Sequence, residues 1–384
     1  MTYMKRYTLM ALSVSLLVLT GCGKKTGGRV LTSATGTIYE CLVVSPKQPL
    51  SQESLNRIAA SGIEHPTGSA YAEPIATTYD LVRATMGEDM PCLPQMEPYF
   101  VLTNVSNAAF DDYLKPTRNI LLVDINPEKY TQLKVRVSTD VWSHPQAVYR
   151  IQASSEEEFV GYWLQHGNEV RDWFVRRELL RQTAFYRANT NADARQVLQK
   201  EFGCDMLIPE DYMLIMDTML NVQCTMHNAQ CDSVRLLWCC NNKGSMRRDV
   251  VVYAYPYTDP NTFTLDYLNA KRDEVLSRVI TASVKGSYMG TEYKVFPPQM
   301  CNVQSLKPKK DDGFYATEVR GLWKIRNGEA MGGPYVSLTR LDQVRGNVIT
   351  AETFVFAPGQ KKRNALRQAE AILYTLQLPA DTIK

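Results

Sequence analysis

The sequence predicts an α+β protein of two lobes, each a mostly antiparallel sheet with packed helices. Short runs rich in β-branched and aromatic residues, bounded by Pro, Gly, Asn or Asp, recur through both halves of the 384-residue chain. Segments with apolar residues three or four positions apart lie between them and predict amphipathic helices. With 45% hydrophobic and 22% charged residues, the composition is that of a globular protein with a sizeable core.

Residues 1–21 predict an export signal. Lys5 and Arg6 precede an apolar run over residues 9–19, which is shorter than the roughly 20 residues that a membrane-spanning helix needs. The run closes in residues 19–22 with the sequence LTGC, which resembles the bacterial lipobox. We therefore expect lipidation of Cys22 with palmitate-like acyl chains, which would anchor the mature protein in a membrane. The alternative is an ordinary signal peptide that happens to contain a cysteine.

Residues 22–34 predict a flexible tether, because the Gly- and Lys-containing run after Cys22 has no side chain suited to a core. Gly23 stands where some lipoproteins have the aspartate that retains them in an inner membrane. Lys24 and Lys25 replace the acidic cluster that sends others to the cell surface. By resemblance to these sorting rules, we expect the outer membrane, with the protein facing the periplasm.

The mature chain is long enough for two domains, and we place the lobes at residues 35–190 and 191–384. A long helix is predicted to begin at Ser155, because Ser155 and Glu158 have the spacing of a capping box. Its charged residues, among them Glu178, are assigned to a solvated face. The other predicted helices cover residues 51–60, 73–87, 264–280 and 361–376. The predicted strands cover residues 37–44, 99–105, 119–125, 134–141, 147–151, 234–240, 250–253, 314–325, 335–342 and 348–356.

Two short sequence echoes raise the hypothesis of a diverged internal duplication. Residues 87–90 are matched by residues 203–206, and residues 118–123 by residues 248–253. The separations of the two pairs differ, and a chance similarity is the alternative.

Charge and motif content exclude several classes of function. Removal of the signal leaves basic and acidic residues nearly balanced, which argues against a nucleic-acid partner. The sequence contains no Gly-x-Ser-x-Gly elbow, no phosphate loop and no His-Glu-x-x-His motif. We predict no metal and no cofactor.

Eight of the nine cysteines remain if Cys22 carries lipid, and an exported protein meets an oxidising compartment. We expect one or two disulfides, and Cys224 with Cys231 is the favoured local pair. Cys224, His227 and Cys231 also form a possible zinc ligand set, although a disulfide beside a bystander histidine is favoured. The further alternative is that several cysteines are buried free thiols.

A glycine- and aromatic-rich region in the C-terminal half predicts a binding surface. Glycines permit close approach of a backbone, and neighbouring aromatic rings stack on a sugar or a peptide. The favoured interpretation is nevertheless a tight turn into a strand, with the tryptophan buried beneath it. The residues of this candidate surface are Gly321, Trp323, Met331, Gly332, Gly333, Pro334 and Tyr335.

Several short motifs carry a family resemblance. They are Leu93-Pro94-Gln95 followed by Glu97 and Phe100, Arg320-Gly321-Leu322-Trp323, Met331-Gly332-Gly333-Pro334, and Ala357-Pro358 ahead of a basic helix. Together they resemble the DUF4837-like family of uncharacterised lipoproteins from Bacteroidota, a domain of unknown function, over nearly all of the mature chain. Tyr335 stands where the family pattern leads us to expect phenylalanine. The resemblance implies an envelope location and brings no activity, ligand or catalytic residue.

The leading hypothesis is a non-catalytic envelope lipoprotein that binds a partner protein or a cell-wall or glycan ligand. The alternative is an envelope-acting hydrolase that uses two carboxylates brought together by the fold, which sequence cannot identify. A third possibility is a structural spacer within an envelope complex.

Overall fold

The computed structural model describes residues 25–26, 29–63, 74–223, 231–304 and 315–381. The signal segment, Cys22, Cys224, His227 and the side chain of Cys231 lie outside the described residues. Helices and two large sheets are both present, and the predicted α+β class is confirmed. Within the described ranges, no helix is long and apolar enough to cross a membrane.

The elements follow each other along the chain as strands with interspersed helices. The helices are α1 (Gln52–Ser61), α2 (Thr78–Met86), α3 (Glu156–Ala188), α4 (Ala192–Val197), α5 (Leu265–Val279) and α6 (Arg363–Leu373). The strands of the first half are β1 (Lys25–Thr26), β2 (Arg29–Val30), β3 (Thr32–Ser33), β4 (Glu40–Val44), β5 (Val101–Val105), β6 (Asn119–Ile125), β7 (Lys134–Thr139), β8 (Ser143–His144) and β9 (Ala147–Ala153). Those of the second half are β10 (Met213–Gln223), β11 (Cys231–Asn241), β12 (Arg247–Pro256), β13 (Tyr288–Glu292), β14 (Gln299–Gln304), β15 (Tyr315–Arg326), β16 (Gly332–Asp342) and β17 (Asn347–Phe356).

The N-terminal sheet has the order β5-β4-β6-β9-β7. Strands β5, β4, β6 and β9 run parallel, and only β7 is antiparallel to its neighbour. The predicted mostly antiparallel sheet is therefore wrong for this lobe. The physical reason is that helices α1 and α2 connect β4 to β5, and a crossover of this kind returns the chain in the same direction. Residues 119–123 are all buried, as expected for a parallel strand covered on both faces.

The predicted tether ends earlier than residue 34. Leu31 is buried, and β3 pairs in parallel with β8 through Thr32 with Ser143 and Ser33 with His144. The last residues of the predicted tether are thus part of the N-terminal lobe.

Local signals define the helices that cover one face of this sheet. The Ser51 hydroxyl accepts a hydrogen bond from the Ser54 N–H at 3.2 Å and begins α1, and Gly62, at φ 74°, ends it. The Ser155 hydroxyl likewise accepts from the Glu158 N–H at the start of α3. The apolar stripe of α3 then packs on the sheet, with Phe159, Trp163, Val170 and Phe174 fully buried.

Glu178 on α3 is buried, which corrects its assignment to a solvated face. Its carboxylate accepts a bidentate bond from Arg118, a bond from Arg181 at 3.0 Å and one from the Asn119 amide at 2.7 Å. Arg118 and Asn119 stand at the start of β6, so the ion pair fixes α3 against the sheet. The spacing of charged residues along a helix does not show which of them forms an ion pair with a distant residue, and Arg118 is 60 residues from Glu178.

The C-terminal sheet is antiparallel, as predicted, and has the order β10-β11-β12-β17-β16-β15-β13. Strand β14 pairs with the first half of β15, and β13 pairs with the second half. The prediction omitted β10, β13 and β14. One face of the sheet packs on α6, and the other face packs on α5. Because one sheet is parallel and the other antiparallel, the fold gives no support to an internal duplication.

The two lobes meet at the start of α6. The Glu97 carboxylate, 4% exposed, accepts hydrogen bonds from the backbone N–H groups of Lys362 at 2.6 Å and Arg363 at 3.1 Å. The first N–H groups of a helix have no partner within the helix, and the helix dipole favours a negative charge there. The Arg363 guanidinium donates back to the Pro98 carbonyl at 2.6 Å. A loop of the first lobe therefore caps the last helix of the second.

Replacing Glu97 by Gln retains the shape of the side chain and turns an amide nitrogen toward one of these N–H groups. We expect the free energy of unfolding to fall by about 1–3 kcal/mol, the usual cost of an unpaired buried group. Urea denaturation measures this change. The exposed Glu329→Gln is the matched control and is expected to change stability by less than about 0.5 kcal/mol. Equal, negligible effects of both substitutions would contradict the capping role.

Candidate functional site

A pocket of about 400 Å³ opens on the α5 side of the C-terminal sheet. Its aromatic wall comes from three strands and consists of Trp238, Trp323, Phe354 and Phe356. The Trp323 ring lies 5.8 Å from the Phe354 ring and 6.1 Å from the Phe356 ring, centroid to centroid. The indole N–H of Trp323 donates to the Val355 carbonyl at 3.3 Å, which fixes the ring. Hydroxyl and amide side chains of Asn242, Ser245, Thr281 and Ser283 stand among the remaining lining residues.

Two glycines allow β16 to lie beside the tryptophan. A Cβ added at Gly333 would lie 2.0 Å from the Val355 carbonyl oxygen, and one at Gly332 would lie 2.7 Å from the Trp323 carbonyl oxygen. No side chain fits at either distance, so glycine is required at both positions. The Gly332-Gly333 motif therefore shapes the wall of the pocket.

An ion pair between Arg247 and Asp249 lies at one side of the pocket. Asp249 is fully buried and accepts bonds from the Trp238 indole N–H at 2.8 Å and from Arg247 Nε and Nη2, each at 2.8 Å. The hydrogen bond to Asp249 holds the pKa of Arg247 above its usual value. Of the described residues that line the pocket, Arg247 alone is charged. Because Asp249 balances it, the pocket is close to electrically neutral.

The structure separates the residues of the predicted binding surface. Trp323 is 3% exposed, and it lines the pocket together with Met331. Tyr335 is fully buried, and a Cβ added at Gly321 would lie 2.7 Å from its ring. Gly333 and Pro334 are buried as well, whereas Gly332 is exposed. The hypothesis of one exposed surface is therefore wrong for Gly321 of β15 and for Gly333, Pro334 and Tyr335 of β16, since α6 and α5 cover the two faces of this sheet. The favoured interpretation, with the tryptophan buried, agrees with the structure.

Tyr335 belongs to a buried polar cluster beneath α5. The Arg272 guanidinium carbon lies 3.8 Å from the centre of the Tyr335 ring. Arg272 donates to Glu352 through Nε at 2.9 Å and Nη2 at 2.7 Å, and to the Thr291 hydroxyl at 2.8 Å. Sequence reasoning missed this cluster, although the signal was present. Arg272 lies on the apolar stripe of α5 four residues after Leu268, and Glu352 interrupts an apolar strand.

Two carboxylates do come together at the junction between the lobes. Glu318 and Glu370 are both buried, and both accept hydrogen bonds from Arg320. Burial disfavours the charge of Glu370, but Arg320 and Arg367 outweigh it and lower the pKa of this carboxyl. A general acid needs a raised pKa, so Glu370 does not suit the protonated role in hydrolysis by a pair of carboxyl groups. Neither residue lines the aromatic pocket.

The family motifs of the two lobes meet at this same junction. The Cys92 thiol donates to the Arg320 carbonyl at 3.5 Å, next to the loop that carries Glu97. Leu93 packs in the core around α6, and the rings of Tyr39 and Tyr99 lie 5.7 Å and 5.4 Å from the Arg367 guanidinium. These motif residues position the two sheets and α6.

The described thiols are free. They are Cys41, Cys92, Cys204, Cys239, Cys240 and Cys301, so the neighbouring Cys239 and Cys240 do not bond each other. Burial raises the pKa of Cys239 to about 12, which keeps this thiol protonated and unreactive. The described ranges hold no group of three side chains placed to bind a metal ion.

Because Tyr335 is a core residue, its truncation is expected to act on stability. Tyr335→Ala should lower the free energy of unfolding by about 3–5 kcal/mol, since it removes a buried ring and its contact with Arg272. Tyr335→Phe retains the ring and loses only a hydroxyl contact to Asn269 of 3.4 Å, so we expect a loss below about 1 kcal/mol. Urea denaturation of both variants measures this. An alanine variant as stable as the wild type would show that the ring lies at the surface.

Two family models match the chain. Residues 191–375 match DUF4837, a domain of unknown function, and residues 69–187 match DUF8532, also a domain of unknown function. No curated protein matches the chain. The resemblance predicted over nearly the whole mature chain thus applies to the C-terminal sheet with α6, and most of the N-terminal lobe has a family model of its own. The chain therefore contains a domain of the DUF4837 family, preceded by a DUF8532 domain.

Proposed function

We propose that the protein is a non-catalytic, membrane-anchored lipoprotein of the cell envelope that holds an uncharged apolar group in its aromatic pocket. The aromatic pocket is the observation that carries this proposal. Its volume of about 400 Å³ falls within the range of small-molecule sites, roughly 300–1,000 Å³. Apolar walls with a few polar groups at the edge are the usual composition of such sites.

The chemistry of the walls favours an acyl or aromatic group over a sugar. A sugar would leave many of its hydroxyl groups unpaired against walls formed by the rings of Trp323, Phe354 and Phe356. An anion would need an uncompensated positive charge, and Asp249 already balances Arg247. The hydroxyl groups of Ser245 and Thr281 offer hydrogen bonds to a weakly polar end of the ligand.

The sequence supports the location. The lipobox-like residues before Cys22 and the short tether after it would hold the folded lobes close to a membrane surface. Gly23 favours the outer membrane, and the pocket would then meet apolar groups of envelope molecules in the periplasm.

The anchor is tested by metabolic labelling with an alkyne-tagged palmitate, followed by membrane fractionation. We expect the wild-type chain to be labelled and to sediment with outer membranes, and Cys22→Ala to lose the label. Cys301→Ala is the matched control, because Cys301 is an exposed thiol of the folded part and its removal should leave labelling unchanged. A labelled Cys22→Ala chain would refute the anchor.

The pocket is tested with the uncharged fluorescent probe N-phenyl-1-naphthylamine. We expect saturable binding to the wild type and an affinity at least about tenfold lower for Ser283→Trp, because the added indole would occupy the mouth of the pocket. Ser138→Trp is the matched control on the exposed side of β7 and should bind the dye as the wild type does. Both variants are first checked for an unchanged unfolding midpoint. Equal dye affinity in the two variants would place the dye elsewhere and remove the pocket as the site.

A further inference from the structure

A second, smaller cleft of about 220 Å³ lies in the N-terminal lobe, where the parallel strands end. It is lined by the last residue of β4, Val44, and by residues 122–124 of β6. Arg150 and Gln152 of β9 and Asn107, just after β5, complete its polar side. Strands β4, β6 and β9 therefore contribute residues to the cleft, and Asn107 reaches it from just beyond the carboxyl end of β5.

The cleft lies where the order of the strands in the sheet reverses its direction. The first strand, β4, lies between the second, β5, and the third, β6, so the direction in which the sheet grows reverses between β4 and β6. In open sheets with parallel strands, ligands bind outside the carboxyl ends of the strands at such a reversal point. The cleft is bounded by Val44 of β4 on one side of this point and Asp124 of β6 on the other.

Arg150 is the unusual residue of the cleft. It is partly buried, and no carboxylate of the described residues lies within ion-pair distance of its guanidinium. Arg136 of β7 stands directly opposite Arg150 in the strand register, on the same face of the sheet. Like charges directly opposite each other on neighbouring strands destabilise a sheet. Their placement at the edge of a cleft indicates a site that is completed by an anion.

The remaining polar groups leave this charge uncompensated. Asp124 is occupied, since it accepts a hydrogen bond from the Tyr130 hydroxyl at 2.5 Å and pairs with Lys129 at 3.4 Å. The Gln152 amide donates to the Tyr130 hydroxyl at 2.7 Å and holds it in place. Within the lining, Lys129 and Asp124 balance each other, so Arg150 contributes one uncompensated positive charge to the cleft. Arg136 is exposed on the neighbouring strand β7 and does not line the cleft, but it adds a second positive charge beside Arg150.

We propose that this cleft binds a phosphate monoester, with Arg150 as the principal phosphate ligand. A guanidinium donates two parallel hydrogen bonds to phosphate oxygens, and a phosphate monoester carries a charge of about −1.5 to −2 at pH 7, which matches the combined charge of Arg150 in the cleft and Arg136 beside it. A carboxylate would balance only half of it. Phe110 and Leu122 offer apolar contact to the organic part of the ester. This site is independent of the aromatic pocket and of the function proposed for it.

The test uses the full chain with Cys22→Ala, which leaves every described residue unchanged. Glycerol phosphate is the probe and glycerol the uncharged control, and binding is measured by calorimetry and by the unfolding midpoint. We expect glycerol phosphate, and not glycerol, to bind and to raise the midpoint.

With Arg150→Gln added, the affinity for glycerol phosphate should fall at least about tenfold. The midpoint without ligand should rise, because the repulsion from Arg136 is relieved. Arg187→Gln removes an exposed arginine near the end of α3 and should change neither quantity.

The source of the phosphate is distinguished by vesicles. Phosphatidic acid in phosphatidylcholine vesicles presents the same group on a lipid, and pure phosphatidylcholine vesicles are the control. Sedimentation with phosphatidic acid vesicles that Arg150→Gln abolishes would identify a lipid head group, whereas binding of glycerol phosphate alone would identify a dissolved ester. Either result supports the site. Absence of binding to both probes, or binding that Arg150→Gln leaves unchanged, would overturn it.

Discussion

The buried carboxylate of Glu97 connects the two halves of this molecule. Helix α6 has no side-chain cap of its own at Lys362, and Glu97 of the other lobe supplies the acceptor for its first N–H groups. The rest of the helix then carries buried ionic groups at fixed positions. Arg367 lies near the rings of Tyr39 and Tyr99 of the N-terminal lobe. Glu370 forms an ion pair with Arg320 of β15 in the C-terminal sheet. Each of these charges is acceptable in the interior only because its partner is already in place. The orientation of α6, and with it one face of the C-terminal sheet, depends on a loop of the N-terminal lobe.

Elements with complete local signals were predicted accurately. The cap at Ser51 and the left-handed Gly62 bracket α1, and the periodic Leu366, Ala369, Ile372 and Leu373 form the buried face of α6. Strand direction is decided by distant partners, and for this reason the parallel N-terminal sheet was predicted with the wrong direction. Strand β13 lacks an apolar run because Gly290, Thr291 and Glu292 follow Met289, and it forms where β15 offers it hydrogen bonds. The strand propensity of a segment does not show whether another strand will pair with it.

The candidate site could be predicted only in part. Trp323, Met331 and the two following glycines were recognised, and the structure places the first two on the lining of the aromatic pocket. The other walls come from β11, β12 and β17, and their residues become neighbours only when the sheet forms. The buried Asp249 was also missed, since a charged residue in a strand looks exposed until its partners Trp238 and Arg247 are known. In the N-terminal cleft, Arg136 and Arg150 are 14 positions apart, and only the register of β7 with β9 brings them together.

The long helix α3 adds a second bridge, because it starts on the N-terminal sheet and its Tyr186 hydroxyl donates to the Gln368 carbonyl of α6 at 2.8 Å. Unfolding of the N-terminal lobe would remove both this contact and the cap of α6, and loss of α6 would expose a large apolar face of the C-terminal sheet. Contacts of both lobes therefore stabilise α6, and each sheet contributes to holding this helix in place. The family boundary between residues 187 and 191 divides the sequence into two segments, but the cap of α6 and the contact of Tyr186 cross this boundary. The boundary between the two family matches is therefore not a boundary between separate sets of contacts in the fold.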